Sequence, residues 1–159
     1  MIPEVAEVTF EMGPETRQVQ GTWDVTTYKY KIDGGGIKLL CDAMKEKKIR
    51  GIRCNECGTV YVPGPTFCRK CHVDIDEVVE VEDSGVVGTF AVEMADMRGN
   101  PIEKERVSAQ IKLDGADTWL GGTIEGIDWK EVKIGMKVKA VWVDNPEGKL
   151  SDIDHFEPL

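Results

Sequence analysis

Cysteine placement limits what this chain can fold into more than any other feature. Four of its five cysteines form two C-x-x-C pairs, Cys54-Asn55-Glu56-Cys57 and Cys68-Arg69-Lys70-Cys71. Two intervening residues make a tight knuckle that turns both thiolates toward one point. Two facing knuckles supply four sulfurs at the corners of a tetrahedron, as a structural Zn2+ site requires. Gly58 follows the first knuckle, where a left-handed backbone is often needed and glycine adopts it without strain. The ten residues between the pairs suit a small hairpin, with Val60, Tyr61 and Val62 as its first strand and Pro63-Gly64-Pro65 as its turn. Cys54, Cys57, Cys68 and Cys71 are therefore the expected metal ligands. Four sulfurs close the coordination sphere and leave no position for substrate, so the metal is expected to be structural.

Other uses of the cysteines fit less well. The opening Met1-Ile2-Pro3-Glu4-Val5-Ala6-Glu7 lacks the basic start and apolar run of a secretory signal, which argues against a disulfide framework. A redox dithiol normally stands as one C-x-x-C beside a βαβ pattern, and no such pattern is present. Ligand type alone does not separate zinc from iron. No apolar run approaches a membrane span. A reducing, cytoplasmic setting is expected.

Net charge is −9 over 159 residues, unevenly spread. Residues 37–72 hold eight basic side chains (Lys38, Lys45, Lys47, Lys48, Arg50, Arg53, Arg69, Lys70) against Asp42, Glu46 and Glu56, so the remainder is strongly acidic. A basic segment on an acidic body can dock a phosphorylated ligand or an acidic partner, or can simply be a solvated face. The acidic remainder argues against broad nucleic-acid binding, which depends on neutralising phosphates.

Along the chain, residues 1–36 read as an extended lead with a candidate hairpin ending at Asp33-Gly34-Gly35-Gly36. Residues 37–49 read as an amphipathic helix, since Ile37, Leu40, Cys41 and Met44 recur at helical spacing. Cys41 on that stripe is expected to pack as a small hydrophobe. His72 adjoins a ligand but exceeds the count of four. After an acidic link, Asp74–Asp83, five strands follow: 86–97, 107–113, 119–124, 138–143 and 151–156. Five strands with only a short connection at Asp128–Lys133 suggest a small closed barrel of OB-fold type, with Gly121-Gly122 as a corner or bulge. The expected fold is mainly β: an N-terminal extended segment (1–36), a short helix with a rubredoxin-like zinc ribbon (37–72), and a C-terminal five-stranded OB-fold barrel (73–159).

That order of modules resembles the DUF35 family of zinc-ribbon/OB-fold proteins associated with acyl-CoA metabolism. The resemblance rests on Cys54-Asn55-Glu56-Cys57-Gly58, Pro63-Gly64-Pro65-Thr66-Phe67-Cys68-Arg69-Lys70-Cys71, Val107-Ser108-Ala109-Gln110-Ile111-Lys112-Leu113-Asp114-Gly115 and Val132-Lys133-Ile134-Gly135-Met136-Lys137-Val138. It runs from about Ile37 to the C-terminus. Gly64 stands where the family often has a second proline, and residues 1–36 exceed the usual lead. The resemblance implies a non-catalytic, zinc-binding partner of a thiolase-like catalytic subunit in a hetero-oligomer, helping to hold a CoA thioester. The long lead is similar to that of members that accompany thiolases acting on aromatic succinyl-CoA intermediates.

The residues agree with a non-catalytic role. Thiolytic acyl transfer needs an activated cysteine, a general base and an oxyanion site. The spare cysteine is Cys41 on a helix stripe, and the two histidines are His72 and His155, with no sequence relation between them. Neither a G-x-S-x-G elbow nor an H-E-x-x-H helix occurs. Trp119, Trp129 and Trp142 are candidates for a contact face, although Trp142 lies in an alternating strand and is expected in the core. Two further readings stand beside the accessory subunit: a nucleic-acid-binding ribbon and barrel, and an adaptor whose metal only stiffens a docking surface.

Overall fold

A computed structural model describes residues 35–96 and 99–159; residues 1–34 of the expected lead lie outside the described residues, and its last two, Gly35 and Gly36, belong to a helix instead. The first element is helix α1 (Gly35–Met44), which buries Gly36, Leu40, Ala43 and Met44. The buried stripe is thus rotated from the expected one: Gly36 and Ala43 face inward, while Ile37 and Cys41 are half-buried. Backbone contact is the reason. A Cβ on Gly36 would stand 1.7 Å from the Gly64 carbonyl oxygen, so the helix enters against bare chain. The helix also stops five residues early. Glu46 N–H and Lys48 N–H donate to Ala43 O, Lys47 N–H donates to Met44 O, and Lys47 takes a left-handed φ of 54°. The run Lys45-Glu46-Lys47-Lys48 consists of good helix formers, so composition gives no sign of that stop.

Strand β1 (Ile49–Arg53) is central to a three-stranded sheet, between β2 (Val60–Tyr61) and β3 (Glu77–Val81). β3 comes from the stretch read as an acidic link. Its glutamates answer the basic segment across the ladder, Arg53 to Glu77 at 3.3 Å and Lys48 to Glu80 at 3.1 Å. With Lys38 and Lys45 on Asp42 and Arg50 on Glu46, most of the basic segment is balanced locally. Exposed pairs of this kind contribute little stability each.

The remaining strands are β4 (Ser84–Ala95), β5 (Pro101–Leu113), β6 (Leu120–Ile124), β7 (Lys137–Trp142) and β8 (Ile153–Pro158). They close as β4-β5-β6-β8-β7, with β7 returning to β4 and β6 running parallel to β8, the five-stranded barrel expected. Gly121 and Gly122 are not its bulge: both pair in continuous register with Gln110 and Ala109. The register breaks instead in β4 between Val87 and Thr89, at Gly88. Gly122 is glycine because its Cβ would lie 2.6 Å from the Phe156 ring, which is fully buried. The Gly135-Met136 step closes the barrel at this same place. Gly135, at φ 84°, donates to Val87 O at 2.7 Å, and Val87 N–H donates to Met136 O at 2.9 Å. Trp142 packs on the core and donates Nε1–H to Asp83 at 3.2 Å.

Helix, ribbon and barrel share one core. Leu40, Met44, Ile49, Val60 and Val62 pack in the same cluster as Val87, Ile111, Val138 and Phe156. The β5–β6 loop supplies the polar side of the joint. Val60 N–H donates to Asp117 Oδ2 and Asp117 N–H to Val60 O, both at 2.9 Å. Val62 N–H donates to Thr118 Oγ1 at 2.7 Å, and that hydroxyl donates back to Val62 O at 3.0 Å. The outer edge of β2 is thereby satisfied by the β5–β6 loop, through two side chains and one backbone N–H, rather than by another strand. Thr118→Val keeps the shape and leaves both groups of buried Val62 without this partner. It is expected to lower unfolding free energy by about 2 kcal/mol in a urea titration.

Asp152 fixes the β7–β8 loop. Its carboxylate is 3% exposed and accepts N–H groups from Glu147, Gly148 and Lys149 at 3.1, 2.6 and 2.9 Å. Burial pushes its pKa up, but the N–H groups of Glu147, Lys149 and Gly148 outweigh that, and it is held below the ordinary carboxylate value. A lowered folded pKa stabilises fully above the unfolded value and is lost as pH falls through the folded one. Asp152→Asn is expected to lower the melting temperature by about 5 °C at pH 7, with the gap from the parent shrinking below about pH 4. A gap unchanged with pH would show that the charge does not hold the loop.

Candidate metal centre

The two knuckles are built alike. Cys54 N–H donates to Thr59 O and Gly58 N–H to Cys54 O; correspondingly, Cys68 N–H donates to Val73 O and His72 N–H to Cys68 O, all between 2.8 and 2.9 Å. The residue after each second cysteine is left-handed, Gly58 at φ 73° and His72 at φ 59°. His72 therefore occupies the second knuckle's turn position, with its side chain exposed. The expectation for Gly58 is met, and the matching demand on His72 was not foreseen.

These turns bring together all four predicted ligands. The sulfurs of Cys54, Cys57, Cys68 and Cys71 lie within 4.8 Å of one another. A tetrahedron with Zn–S bonds of about 2.3 Å has an edge of about 3.8 Å, and Cys57 Sγ and Cys68 Sγ are 3.7 Å apart. Cys54 and Cys68 are fully buried, Cys71 is half-buried and Cys57 is exposed. The four are positioned for a metal ion with one side toward solvent. Cys41 stays on α1, half-buried, outside this cluster.

Two supporting residues escaped the sequence reading. The Tyr61 hydroxyl lies 3.3 Å from Cys68 Sγ, and Cys71 N–H donates to the same sulfur at 3.4 Å. Hydrogen bonding from Tyr61 is the main reason the Cys68 thiol is lowered to about 6, against the opposing effect of burial. Thr59 similarly lowers Cys57, first through its hydroxyl and then through its backbone N–H, while Lys70 Nζ donates to that hydroxyl at 2.9 Å. Cys71 goes the other way, pushed up to about 12 by its hydrogen bond with Cys57 and then by burial. Four crowded thiols cannot all ionise against one another; a divalent cation supplies the charge that lets them. The only advance signal for Tyr61 was an aromatic residue in the strand after a knuckle.

A second concave feature lies on the outer face of β4, β5 and β6. It is a trough of about 900 Å³ whose lining includes Trp119, Gln110, Gly121, Leu150, Asp154 and His155 and, among the described residues, no Lys or Arg. Of the expected contact aromatics, Trp119 is 49% exposed and stands at this trough. Trp129 and Trp142 are half-buried against the core instead. No helix among the described residues is long and apolar enough to cross a membrane.

Comparison with known proteins points the same way. Residues 42–77 match the family model described as the ChsH2, rubredoxin-like zinc ribbon domain. A "DUF35 domain-containing scaffold protein" of Methanocaldococcus jannaschii is 30% identical over 114 residues, covering 69% of this chain and 80% of that protein. A crystal structure of a DUF35-family protein of unknown function from Sulfolobus solfataricus superposes with a TM-score of 0.56 at 28% identity, over 65% of this chain and 75% of its own. A chain of an Ltp2-ChsH2(DUF35) aldolase has the same fold, with a TM-score of 0.59 at 24% identity, over 82% of this chain and 98% of its own. With the archaeal scaffold protein matched at this identity over most of its length, the chain belongs to the DUF35 zinc-ribbon family.

Proposed function

We propose that this chain is a non-catalytic, zinc-bound scaffold subunit. It docks onto a thiolase-type catalytic subunit that makes or breaks carbon–carbon bonds in acyl-CoA thioesters, including aromatic succinyl-CoA intermediates. The observation that carries the reading is that the four sulfurs close the metal site while helix, ribbon and barrel share one core. A metal with no open position, set in a piece with one shared core, holds a surface in shape rather than acting on substrate. The scaffold relative and the aldolase chain of like fold, each so named, support partnership with a catalytic chain. An aldolase and a thiolase both cleave carbon–carbon bonds next to an activated carbonyl. Among the described residues of the ribbon side, Lys47, Arg69 and Lys70 are the cations without a carboxylate partner. They are the groups placed to meet CoA phosphates, and thiolate ligands suit a reducing cytoplasm.

The test is to purify the tagged chain from its own cells, identify what accompanies it, and assay each chain apart and together. A thiolase-type companion that needs this chain for full thiolysis supports the reading; a companion fully active alone removes the essential role. Lys47→Glu with Arg69→Glu should raise the KM for the CoA thioester several-fold in the complex and leave the metal content unchanged. The nucleic-acid alternative calls for a cationic track, and the trough on the barrel face has no Lys or Arg among the described residues. Salt-dependent retention on single-stranded DNA would restore that alternative.

A further inference from the structure

The trough is constructed from the register of three strands. Thr89, Gln110 and Gly121 lie side by side across β4, β5 and β6, and Ala91, Ser108 and Thr123 form the next row. Every side chain of this floor is short or uncharged, and at Gly121 there is none. A Cβ at Gly121 would meet only Gln110 Nε2, at 3.5 Å. One wall is Trp119, whose six-membered ring sits over Gly88 so closely that a Cβ there would be 1.9 Å away. The bulge glycine thus seats the indole at the trough's edge. Leu150, 53% exposed, stands on the β7–β8 loop that Asp152 fastens.

We propose that this trough binds an uncharged small molecule carrying a planar ring system, packed against Trp119, with Gln110 hydrogen-bonding its polar substituent. About 900 Å³ is within the range of small-molecule sites, which are mostly apolar with a few convergent polar groups. Two large apolar side chains left half-exposed in one concavity gain from being covered. Charge decides the ligand class. Among the described residues the lining contains no Lys or Arg to meet a phosphate or carboxylate, and its acidic group, Asp154, is hydrogen-bonded to His155 Nδ1 at 2.8 Å. Ser108 is already engaged by Glu93, whereas the Gln110 amide, facing solvent, has no protein partner among the described residues and offers both donor and acceptor.

The full chain with its metal would be titrated by calorimetry with indole, 2-naphthol and 9-phenanthrol, and with 2-naphthyl phosphate as the charged counterpart. At least one neutral probe should bind at one per chain, and the phosphate ester at least ten-fold more weakly than 2-naphthol. Gly121→Val fills the floor without touching backbone; it should weaken binding at least ten-fold while melting temperature and metal content stay at parental values. Gln110→Ala should weaken 2-naphthol several-fold and indole less. The proposal is overturned if none of the three neutral probes binds, if the phosphate ester binds as well as the alcohol, or if Gly121→Val leaves affinity unchanged. No catalytic subunit enters this experiment, so its outcome is separate from that of the docking reading.

Discussion

Cys68→Ser is expected to leave the chain without metal, from about one ion per chain to less than a tenth. Cys68 is the most heavily supported of the four sulfurs: fully buried, hydrogen-bonded by Tyr61 and Cys71 N–H, and lowered to about 6. A serine there offers a hard, weakly acidic oxygen in place of the most readily ionised thiol. Cys54→Ser should behave alike, since Cys54 is equally buried. Cys57 is exposed, so Cys57→Ser should retain a weakened site that water can complete. Amide exchange should then show protection lost from Cys54 to Val73 in Cys68→Ser, with the barrel strands losing less. Tyr61→Phe is the finer probe. Removing an outer-sphere hydrogen bond typically costs 10–100-fold in metal affinity, so the ion should remain at saturating zinc and leave sooner under chelator. Metal bound as firmly in Cys68→Ser as in the parent would refute the four-sulfur site.

Gly36→Val is expected to be the most damaging change that touches no ligand. The new Cβ would fall 1.7 Å from the Gly64 carbonyl oxygen and 2.6 Å from its Cα, and backbone on the hairpin turn cannot swing aside as a long side chain can. Either α1 lifts off the ribbon or the turn moves, and both uncover Leu40 and Met44, which are almost fully buried. Overpacking of this kind plus lost burial should cost about 3 kcal/mol or more, lowering the melting temperature by about 10 °C. Gly58→Ala is the contrast. Nothing lies within 4 Å of its Cβ, so its cost is confined to the left-handed backbone, about 1 kcal/mol. Equal losses from the two substitutions would show that the close approach at Gly36 is not what holds the helix.

How far the sequence could be read depends on the range of the interactions involved. The metal cluster was legible because C-x-x-C geometry is set within four residues and needs only two copies to meet. The barrel was legible because alternating apolar residues and turn signals recur along it. What stayed hidden was long-range. β3 carries two glutamates and reads as a polar link, but pairing with β1 gives Glu77 and Glu80 cationic partners 24 and 32 residues away. Gly64, the departure from the family's proline, is explained only by Ile52, whose side chain is 2.4 Å from where a Cβ would be. The bulge was misplaced because Gly121-Gly122 is the conspicuous pair, whereas Gly88 gives way to a tryptophan 31 residues on. The trough depends likewise on which strands become neighbours, whereas Tyr61 and Asp152 act within seven residues, through side-chain directions that no motif marks.

The joint between Thr118, Asp117 and β2 bears on how this protein can be divided. A cut after the ribbon, at residue 73, would look natural from the motif pattern, yet β3 would be lost from one side of β1 and the two loop residues from the other side of β2. The excised piece would carry two open strand edges, each a template for pairing with another copy. The barrel piece would lose Leu40, Met44 and Val62 from the core cluster that also holds Val87, Ile111 and Val138. Each half is thus the other's protection against aggregation. Folding of the ribbon during synthesis is complete only when the loop at Asp117 and Thr118 has emerged, more than fifty residues after the hairpin that it closes.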